Sequence, residues 1–496
     1  MVNPRLPHRS VLADESDPSC DALAEAEAGE RSGLTGFRLL TAGDEAFLAR
    51  ASLIARSQRT LDLQYYLFRA DTSGALLSNS ILQAADRGVH VRLLIDGWPL
   101  VFRRGETALL NSHPNVEIRL FNPVYDFNAG LVSRLIGLLA GSRRLNRRMH
   151  NKVFIADGKI VVMGGRNVGD RYFGLRENFG FRDLDVICVG ALVEDISTSF
   201  DAYWNSPVAR TLSSIGIRNR SAAEFARFRN RLAGLRKQYR ISRYESRLSD
   251  TSLARSLSRG TLDLTWSLAR LIADPPDKIS AVETSQMSPF DQLVDLAQSV
   301  SRELVLVSPY FVPGERGMSI LAALRARGVR VVLITNSLAS TDIPLVHAGY
   351  SRYRRRLLEI GIEIHETRRL FNAKRSRSKL FQLSHASLHA KAYVMDRSKV
   401  VIGSLNLDPR SMILNTEIGV LVSNVLFARK VARFAQDLVS SDCSYRLSLE
   451  GESQNMVWEG DDKKGKLVRY LREPDAGLWR RLEVFLASWL PIEAQL

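Results

Sequence analysis

Cysteine is scarce in this chain. Its three residues, Cys20, Cys188 and Cys443, lie far apart in 496 positions. They form neither a disulfide framework nor a zinc-ligand spacing, so a reducing compartment is expected. Long apolar runs are also lacking. No uncharged stretch reaches the ~18–20 residues that cross a bilayer, so a transmembrane chain is not expected. The first thirty residues hold no apolar segment of the secretory type. Acidic side chains are in deficit, with 53 Asp+Glu against 69 Lys+Arg and a formal net charge of +16. Such a balance favours anionic partners, either nucleic acid or a membrane rich in acidic lipid. Bias itself is absent: 45% hydrophobic and 25% charged residues make a globular composition, which excludes wholesale disorder. The length suggests roughly two to four domains.

Charge is unevenly distributed. Residues 1–33 carry seven acids and three arginines, a net of −4 in an Ala/Glu/Ser/Pro-rich stretch that reads as a disordered acidic leader. Residues 207–260 carry thirteen Lys/Arg against three acids. Phe225, Phe228, Leu232, Leu235 and Tyr239 recur there at helical spacing. This is read as a basic helical linker over 207–284, with one face either packed on a domain or resting on a phosphate-rich surface. A third stretch has Leu131, Val132, Leu135, Ile136, Leu138 and Leu139, followed by Arg143, Arg144, Arg147 and Arg148. It suits an interfacial segment with basic anchors, and a buried core helix is the competing reading.

Self-comparison reveals a repeat. ILQAADRGVHVRLLID at 81–96 matches LAALRARGVRVVLITN at 321–336, each a helix ending at Arg-Gly before a β-branched strand. HNKVFIADGKIVVMGGRN at 150–167 matches HAKAYVMDRSKVVIGSLN at 389–406. The two offsets, 240 and 239, agree to within one residue. Two copies of one α/β domain are therefore expected over 34–206 and 285–450, each a mixed sheet flanked by helices, with 451–496 as a tail packing on the domains or the membrane.

Both copies fit His-x-Lys-x4-Asp-x6-Gly-[Gly/Ser]-x-Asn: His150, Lys152, Asp157, Gly164, Gly165 and Asn167, then His389, Lys391, Asp396, Gly403, Ser404 and Asn406. Strand alternation puts each His and its Lys on one side. Asp157 and Asp396 fall at hairpin turns and read as mainly structural, despite their place in the motif. The Gly-Gly or Gly-Ser pair allows a tight turn, after which Asn167 or Asn406 can return to the His/Lys face. Two such halves offer paired imidazoles, ammoniums and amides, a set suited to a phosphodiester. The cations stabilise phosphoryl charge, one His attacks phosphorus, and the other shuttles the proton. No metal or other cofactor is called for, since the two lysines supply the positive charge and no ligand cluster has convincing spacing. Each His needs a carboxylate to hold its tautomer. Glu417 after the second motif and Asp183 in the first half are the choices, with Asp185 the fallback.

The twin motifs resemble the phospholipase D superfamily. The flanking text, including LDLQYYLF at 61–68, SRRLNRRMHNK at 142–152, TNSLASTDIPLVHAGY at 335–350 and GSLNLDPRSMILNTE at 403–417, resembles bacterial cardiolipin synthases of the C-type branch. The resemblance implies two tandem phospholipase D-like domains facing each other, with His150, Lys152, Asp157, His389, Lys391 and Asp396 as the motif residues of the catalytic centre. It also implies transfer of a phosphatidyl group from phosphatidylethanolamine, or from phosphatidylglycerol, to phosphatidylglycerol. His150 is then the nucleophile and His389 the general acid/base. The expected partners are these phospholipids and an anionic membrane surface, with no nucleic acid. The expected place is peripheral, on the cytoplasmic side of a bacterial inner membrane. A hydrolytic phospholipase D or another phosphatidyltransferase is the alternative, and a nuclease of the same superfamily a more remote one. One asymmetry stands out: Gly165 replaces the hydroxyl that Ser404 carries in the second half.

Overall fold

The structure is a computed structural model that describes residues 17–29, 31–98, 104–123, 146–175, 180–238, 247–280, 287–369, 386–452, 454–462 and 465–488. In chain order its strands begin with β1 (Thr35–Leu40), β2 (Thr60–Tyr65), β3 (His90–Asp96), β4 (Val116–Phe121), β5 (Lys152–Ala156), β6 (Ile160–Gly164) and β7 (Gly180–Arg182). Next come β8 (Asp185–Gly190), β9 (Ala209–Thr211), β10 (Thr265–Ser267), β11 (Ala269–Ala273), β12 (Glu303–Val307), β13 (Arg330–Asn336) and β14 (Glu363–Thr367). The last are β15 (Ala386–Leu388), β16 (Ala392–Met395), β17 (Lys399–Gly403), β18 (Ile418–Val422), β19 (Ser444–Glu450), β20 (Asn455–Asp461) and β21 (Leu467–Tyr470).

They form two large mixed sheets. The first has the order β10-β1-β8-β6-β5-β2-β3-β4-β9 and the second β11-β18-β17-β16-β12-β13-β14-β19-β20-β21. In each, three central strands run parallel, β2-β3-β4 and β12-β13-β14, while the motif hairpins β5-β6 and β16-β17 add antiparallel to them. The parallel pairs need a helical crossover, which the sequence provides. Helix Thr72–Asp86 starts at Asp71, whose carboxylate accepts from the Gly74 amide, and it stops at Gly88 with φ +96°. Helix Gly314–Ala326 stops likewise at Gly328 with φ +79°. These are the two Arg-Gly landmarks of the repeat, positions where a left-handed residue ends a helix.

Alternation along the motif strands sorts their side chains between two cores. Phe154 and Ala156 of β5 join the core under the helices of the first half, whereas Val153 and Ile155 face the second half. In β16, Tyr393 and Met395 face the helices of their own half while Ala392 and Val394 face the first. One continuous apolar core therefore lies between the halves, joined by residues of helices Leu192–Trp204 and Val425–Leu438. Backbone pairing ties the halves as well: β7 runs parallel to β15, and Met149 bridges Thr416.

Several expectations are corrected. Residues 17–29 of the leader are ordered: helix Cys20–Ala28 is capped by Ser19 and buries Cys20, Leu23 and Ala24. Its acids are drawn in by Arg59, paired with Asp21, and by Arg56, 3.1 Å from Asp17. Residues 1–16 lie outside the described residues. The stretch 207–284 is not a separate linker, because β9 and β10 complete the first sheet and β11 the second. Its helix Ala222–Gln238 packs Phe225, Phe228, Leu232 and Leu235 onto the first half, so the packed-face reading holds for them; Tyr239 lies outside the described residues. The second sheet continues past residue 450 through β20 and β21. Most of 131–148 also lies outside the described residues. Arg148 is not a free membrane anchor: it is buried, with Nη1 3.3 Å from the Asp96 carboxylate.

Candidate active site

The site forms where the two halves meet, and backbone pairing sets its geometry. The His150 amide donates to Thr416 O at 2.9 Å, and the His389 amide to Arg182 O at 2.8 Å. The residue after each of those acceptors is a carboxylate, so each imidazole meets an acid from the opposite half. His150 Nδ1 is 2.9 Å from Glu417 Oε2, and His389 Nδ1 is 2.6 Å from Asp183 Oδ2. An ionised carboxylate only accepts, so Nδ1 carries the proton and Nε2 presents its lone pair. Among the described residues nothing hydrogen-bonds either Nε2. The two carboxylates chosen from the sequence are thus both present, but each serves the other half's histidine. Asp185, the fallback, is occupied elsewhere: it pairs with Arg50 at 3.0 Å and accepts from the Arg166 amide.

The lysines follow from strand alternation. Lys152 Nζ donates to His150 O, and Lys391 Nζ donates to His389 O at 2.5 Å, leaving each ammonium N–H groups for a substrate oxygen. Lys152, His389 and Lys391 are buried and the His150 side chain is 13% exposed, and the four sense one another across the halves. Burial drives the His150 pKa down to about 4; Glu417 opposes this, while Lys152 and Lys391 add to it. Burial takes Lys152 down to about 7, with Glu417 opposing and Lys391 reinforcing the shift. His389 and Lys391 are lowered in the same direction, each chiefly by burial. Burial alone would raise Asp183 and Glu417, but the facing histidines and lysines hold both below the ordinary carboxylate range.

The Gly165/Ser404 asymmetry has a steric cause. A Cβ on Gly165 would stand 2.0 Å from Asp183 Oδ1, so the shorter acid occupies the space a serine would need. In the second half Ser404 Oγ donates to Glu417 Oε2 at 2.5 Å and Ser411 Oγ to Oε1 at 2.6 Å, fixing the longer acid. Asp274 accepts from the Glu417 amide at 2.9 Å.

The other motif residues divide. Asp157 and Asp396, counted among the catalytic residues on the strength of the motif, sit at the far ends of β5 and β16 from the lysines, with φ +53° and +49°. Asp157 accepts from the amides of Gln58, Arg59 and Thr60, and Asp396 from those of Ser301, Arg302 and Glu303. Each carboxylate therefore gathers the start of the neighbouring strand and touches no catalytic group, so both act through the fold. Asn167 is committed as well: Oδ1 accepts from the Leu67 amide, and Nδ2 donates to the Tyr172 hydroxyl at 3.0 Å. Asn406 differs, since its buried Oδ1 has no hydrogen-bond partner and can meet a substrate.

Sequence reasoning missed Ser411, Asp274 and the aromatic walls. Tyr66 is edge-on to His150 with ring centroids 5.6 Å apart, and Tyr172 and Phe181 flank His389 at 5.3 and 5.0 Å. Tyr66 and Ser411 lie inside the stretches that carried the resemblance, but no spacing rule singles them out. Among the described residues no group of three or more His, Cys, Asp or Glu could hold a metal ion.

The family model described as "Cardiolipin synthase, PLD-like domain" matches residues 51–204 and 293–438. The chain belongs to this phospholipase D-like family. It is 37% identical over 453 residues to cardiolipin synthase C of Escherichia coli K12, covering 90% of this chain and 93% of that protein. It is 23% identical to the major cardiolipin synthase of Bacillus subtilis 168, over 85% of this chain and 72% of that one. Among solved structures, phosphatidylserine synthase of Haemophilus influenzae Rd KW20 superposes with a TM-score of 0.59 at 15% identity, over 95% of this chain and 99% of that one, a likeness of fold. The duplicated α/β architecture expected from the repeat is therefore the family architecture.

Proposed function

We propose that this protein makes cardiolipin by transphosphatidylation at the His150/His389 centre. The observation that carries the reading is the pair of crossed dyads, each with a free Nε2 beside a buried lysine. His150, unprotonated with its pKa near 4, attacks the phosphorus of phosphatidylethanolamine; an N–P bond forms and the P–O bond to ethanolamine breaks. His389 gives its Nε2 proton to the leaving oxygen, and the anionic phosphodiester together with Asp183 favours that protonated state. The primary hydroxyl of phosphatidylglycerol then attacks phosphorus, its proton passes to His389, and the N–P bond breaks to free His150. Lys152 and Lys391 donate to the phosphoryl oxygens as charge builds, and Asn406 Oδ1 accepts from a substrate hydroxyl.

The test is product analysis. Purified protein with mixed liposomes of phosphatidylglycerol and phosphatidylethanolamine is expected to release ethanolamine and form diphosphatidylglycerol at a rate unchanged by EDTA. Phosphatidic acid as the only product would make it a hydrolase and sink the proposal. Phosphatidylglycerol alone as an adequate donor would replace the ethanolamine step.

A membrane-facing surface accompanies this reading. Helix Leu478–Ser488 buries Val484 and Ala487 but leaves Trp479 85% and Leu478 81% exposed, with Leu482, Phe485 and Leu486 on the same open side. Such an apolar face on a basic protein suits the interface of an anionic bilayer. Its Arg480 donates to Thr341 O, next to Asp342, whose charge reaches His389 and Lys391, so the face adjoins the site. No described helix is long and apolar enough to cross a membrane. We place the protein peripherally, on the cytoplasmic face of the inner membrane. Trp479→Glu with Leu482→Glu is expected to cut co-sedimentation with phosphatidylglycerol vesicles at least tenfold, while turnover of a monomeric short-chain phospholipid stays within twofold.

A further inference from the structure

The paired histidines, lysines and acids account for one phosphodiester, but they leave unexplained a cavity of about 630 Å³ in the first half. Its floor is the helix-covered face of the first sheet, through Leu93 and Ile95 of β3 and Ile118 of β4. Its roof is helix Ala222–Gln238, through Phe228, Leu232 and Leu235. Protein interiors pack to crystal density and hold few voids larger than a water, whereas ~300–1,000 Å³ is the size of pockets that take a ligand.

The cavity begins at the reaction centre. Tyr66 lines it while standing edge-on to His150, and Lys152 Nζ is 5.8 Å from the same ring. Trp98 lines it too, beneath the Arg148 guanidinium at 5.6 Å. Both aromatics follow the carboxyl ends of parallel strands, β2 and β3, the edge at which open α/β sheets receive ligands. The charged side chains that line it, Arg69, Glu106 and Arg231, are all partly or fully exposed, and the last two pair at 3.0 Å. The inner walls are chiefly Leu, Ile and Phe.

We propose that this cavity holds an acyl chain of the phospholipid whose phosphate is bound at His150. This deepens the functional reading above and rests on the substrate being a phospholipid. A polar occupant would leave its donors unpaired against the hydrocarbon walls. An acyl chain gains roughly fourfold in affinity for each methylene buried. A diester held by Lys152 sends its glycerol arm past Tyr66, and the chain that follows meets the space between β3, β4 and helix Ala222–Gln238. The basic helix of the first half thus covers a lipid tail in addition to packing on its domain.

Two measurements test this. Ser78→Phe, from helix Thr72–Asp86, projects a ring into the cavity without touching the histidines, lysines or acids. It is expected to lower kcat/KM for phospholipids with 16- to 18-carbon chains by tenfold or more, and to leave a dihexanoyl phospholipid within twofold. Equal losses on both lengths, or no loss on either, overturn the proposal. The second arm needs neither a variant nor turnover: monomeric lysophosphatidylglycerol with a terminal diazirine is photolysed on the wild-type protein. Labelling of peptides from 72–86, 104–110 and 222–238 supports the cavity, and labelling confined to other peptides overturns it. This arm also separates the two readings. A protein that labels at the cavity yet forms no diphosphatidylglycerol retains the acyl site and loses the proposed reaction.

Discussion

Glu417→Gln is expected to lower kcat by about 10³–10⁴, although Glu417 lies 267 residues from the histidine it serves. The amide keeps the size of the acid but offers an N–H to Nδ1, so the imidazole can turn to the wrong tautomer and lose its negative counter-charge. Asp183→Asn is expected to act in the same way on His389. Because the dyads are crossed, each acid substitution inactivates the histidine of the other half. The leaving group distinguishes them: a donor lipid whose leaving alcohol needs no protonation restores the first transfer in Asp183→Asn, where the general acid is impaired, and does not restore it in Glu417→Gln, where the nucleophile is. The wild-type pH profile of kcat/KM carries the signature of the same groups. Activity rises as His150 loses its proton near pH 4 and falls at higher pH as the two groups that must stay protonated lose theirs, His389, whose pKa burial lowers, and Lys152, near pH 7. Glu417→Gln moves the acid limb lower still, because the group that raises the His150 pKa has been removed. A profile flat from pH 4 to 8 would contradict these assignments.

Asp157→Ala is expected to cost about 2–4 kcal/mol of stability while leaving the turnover of the folded fraction within a few-fold. The carboxylate, 5% exposed, satisfies the amides of three consecutive residues at the start of β2, and its own φ of +53° is one that alanine tolerates poorly. Asp157→Asn retains an acceptor and tolerates the left-handed conformation, so it should lose less. Denaturant unfolding read beside single-turnover kinetics checks this, and a catalytic loss of 10² or more with unchanged stability would return Asp157 to the chemistry. Asp396 repeats the arrangement. Burial pushes its pKa up, but the amides of residues 301–303 outweigh burial and hold it below the ordinary value. Its contribution is therefore full above the ordinary carboxylate pKa and is lost as pH falls through the lowered one.

Much of this molecule was legible because its signals are local. The Arg-Gly helix ends, the alternating β5-β6 and β16-β17 hairpins and the left-handed turn at each motif aspartate are dictated by backbone preferences of a few neighbouring residues, and duplication made each visible twice. The presence of two histidines, two lysines and two acids was readable for the same reason. The packed face of helix Ala222–Gln238 was readable as a periodicity, although not as the roof of a cavity. In the described part of the acidic leader, residues 17–29, composition misled: it resembles a disordered tail, whereas helix Cys20–Ala28 buries Cys20 and Leu23 and the segment meets Arg56 and Arg59, which lie beyond it in sequence and next to it only in the fold.

The repeat, the motif residues and the α/β class were legible in the sequence, because each helix end, strand and motif is written within some twenty residues and recurs about 240 residues on. Tertiary structure alone decided which acid faces which histidine, why Gly165 cannot be serine, and which helix roofs the cavity of the first half. Those depend on how two sheets meet face to face. The bridge of Met149 to Thr416 and the pairing of β7 with β15 bring residues 267 and 206 positions apart into hydrogen-bond contact. No local preference encodes such contacts; burial of the apolar core shared by the two halves does.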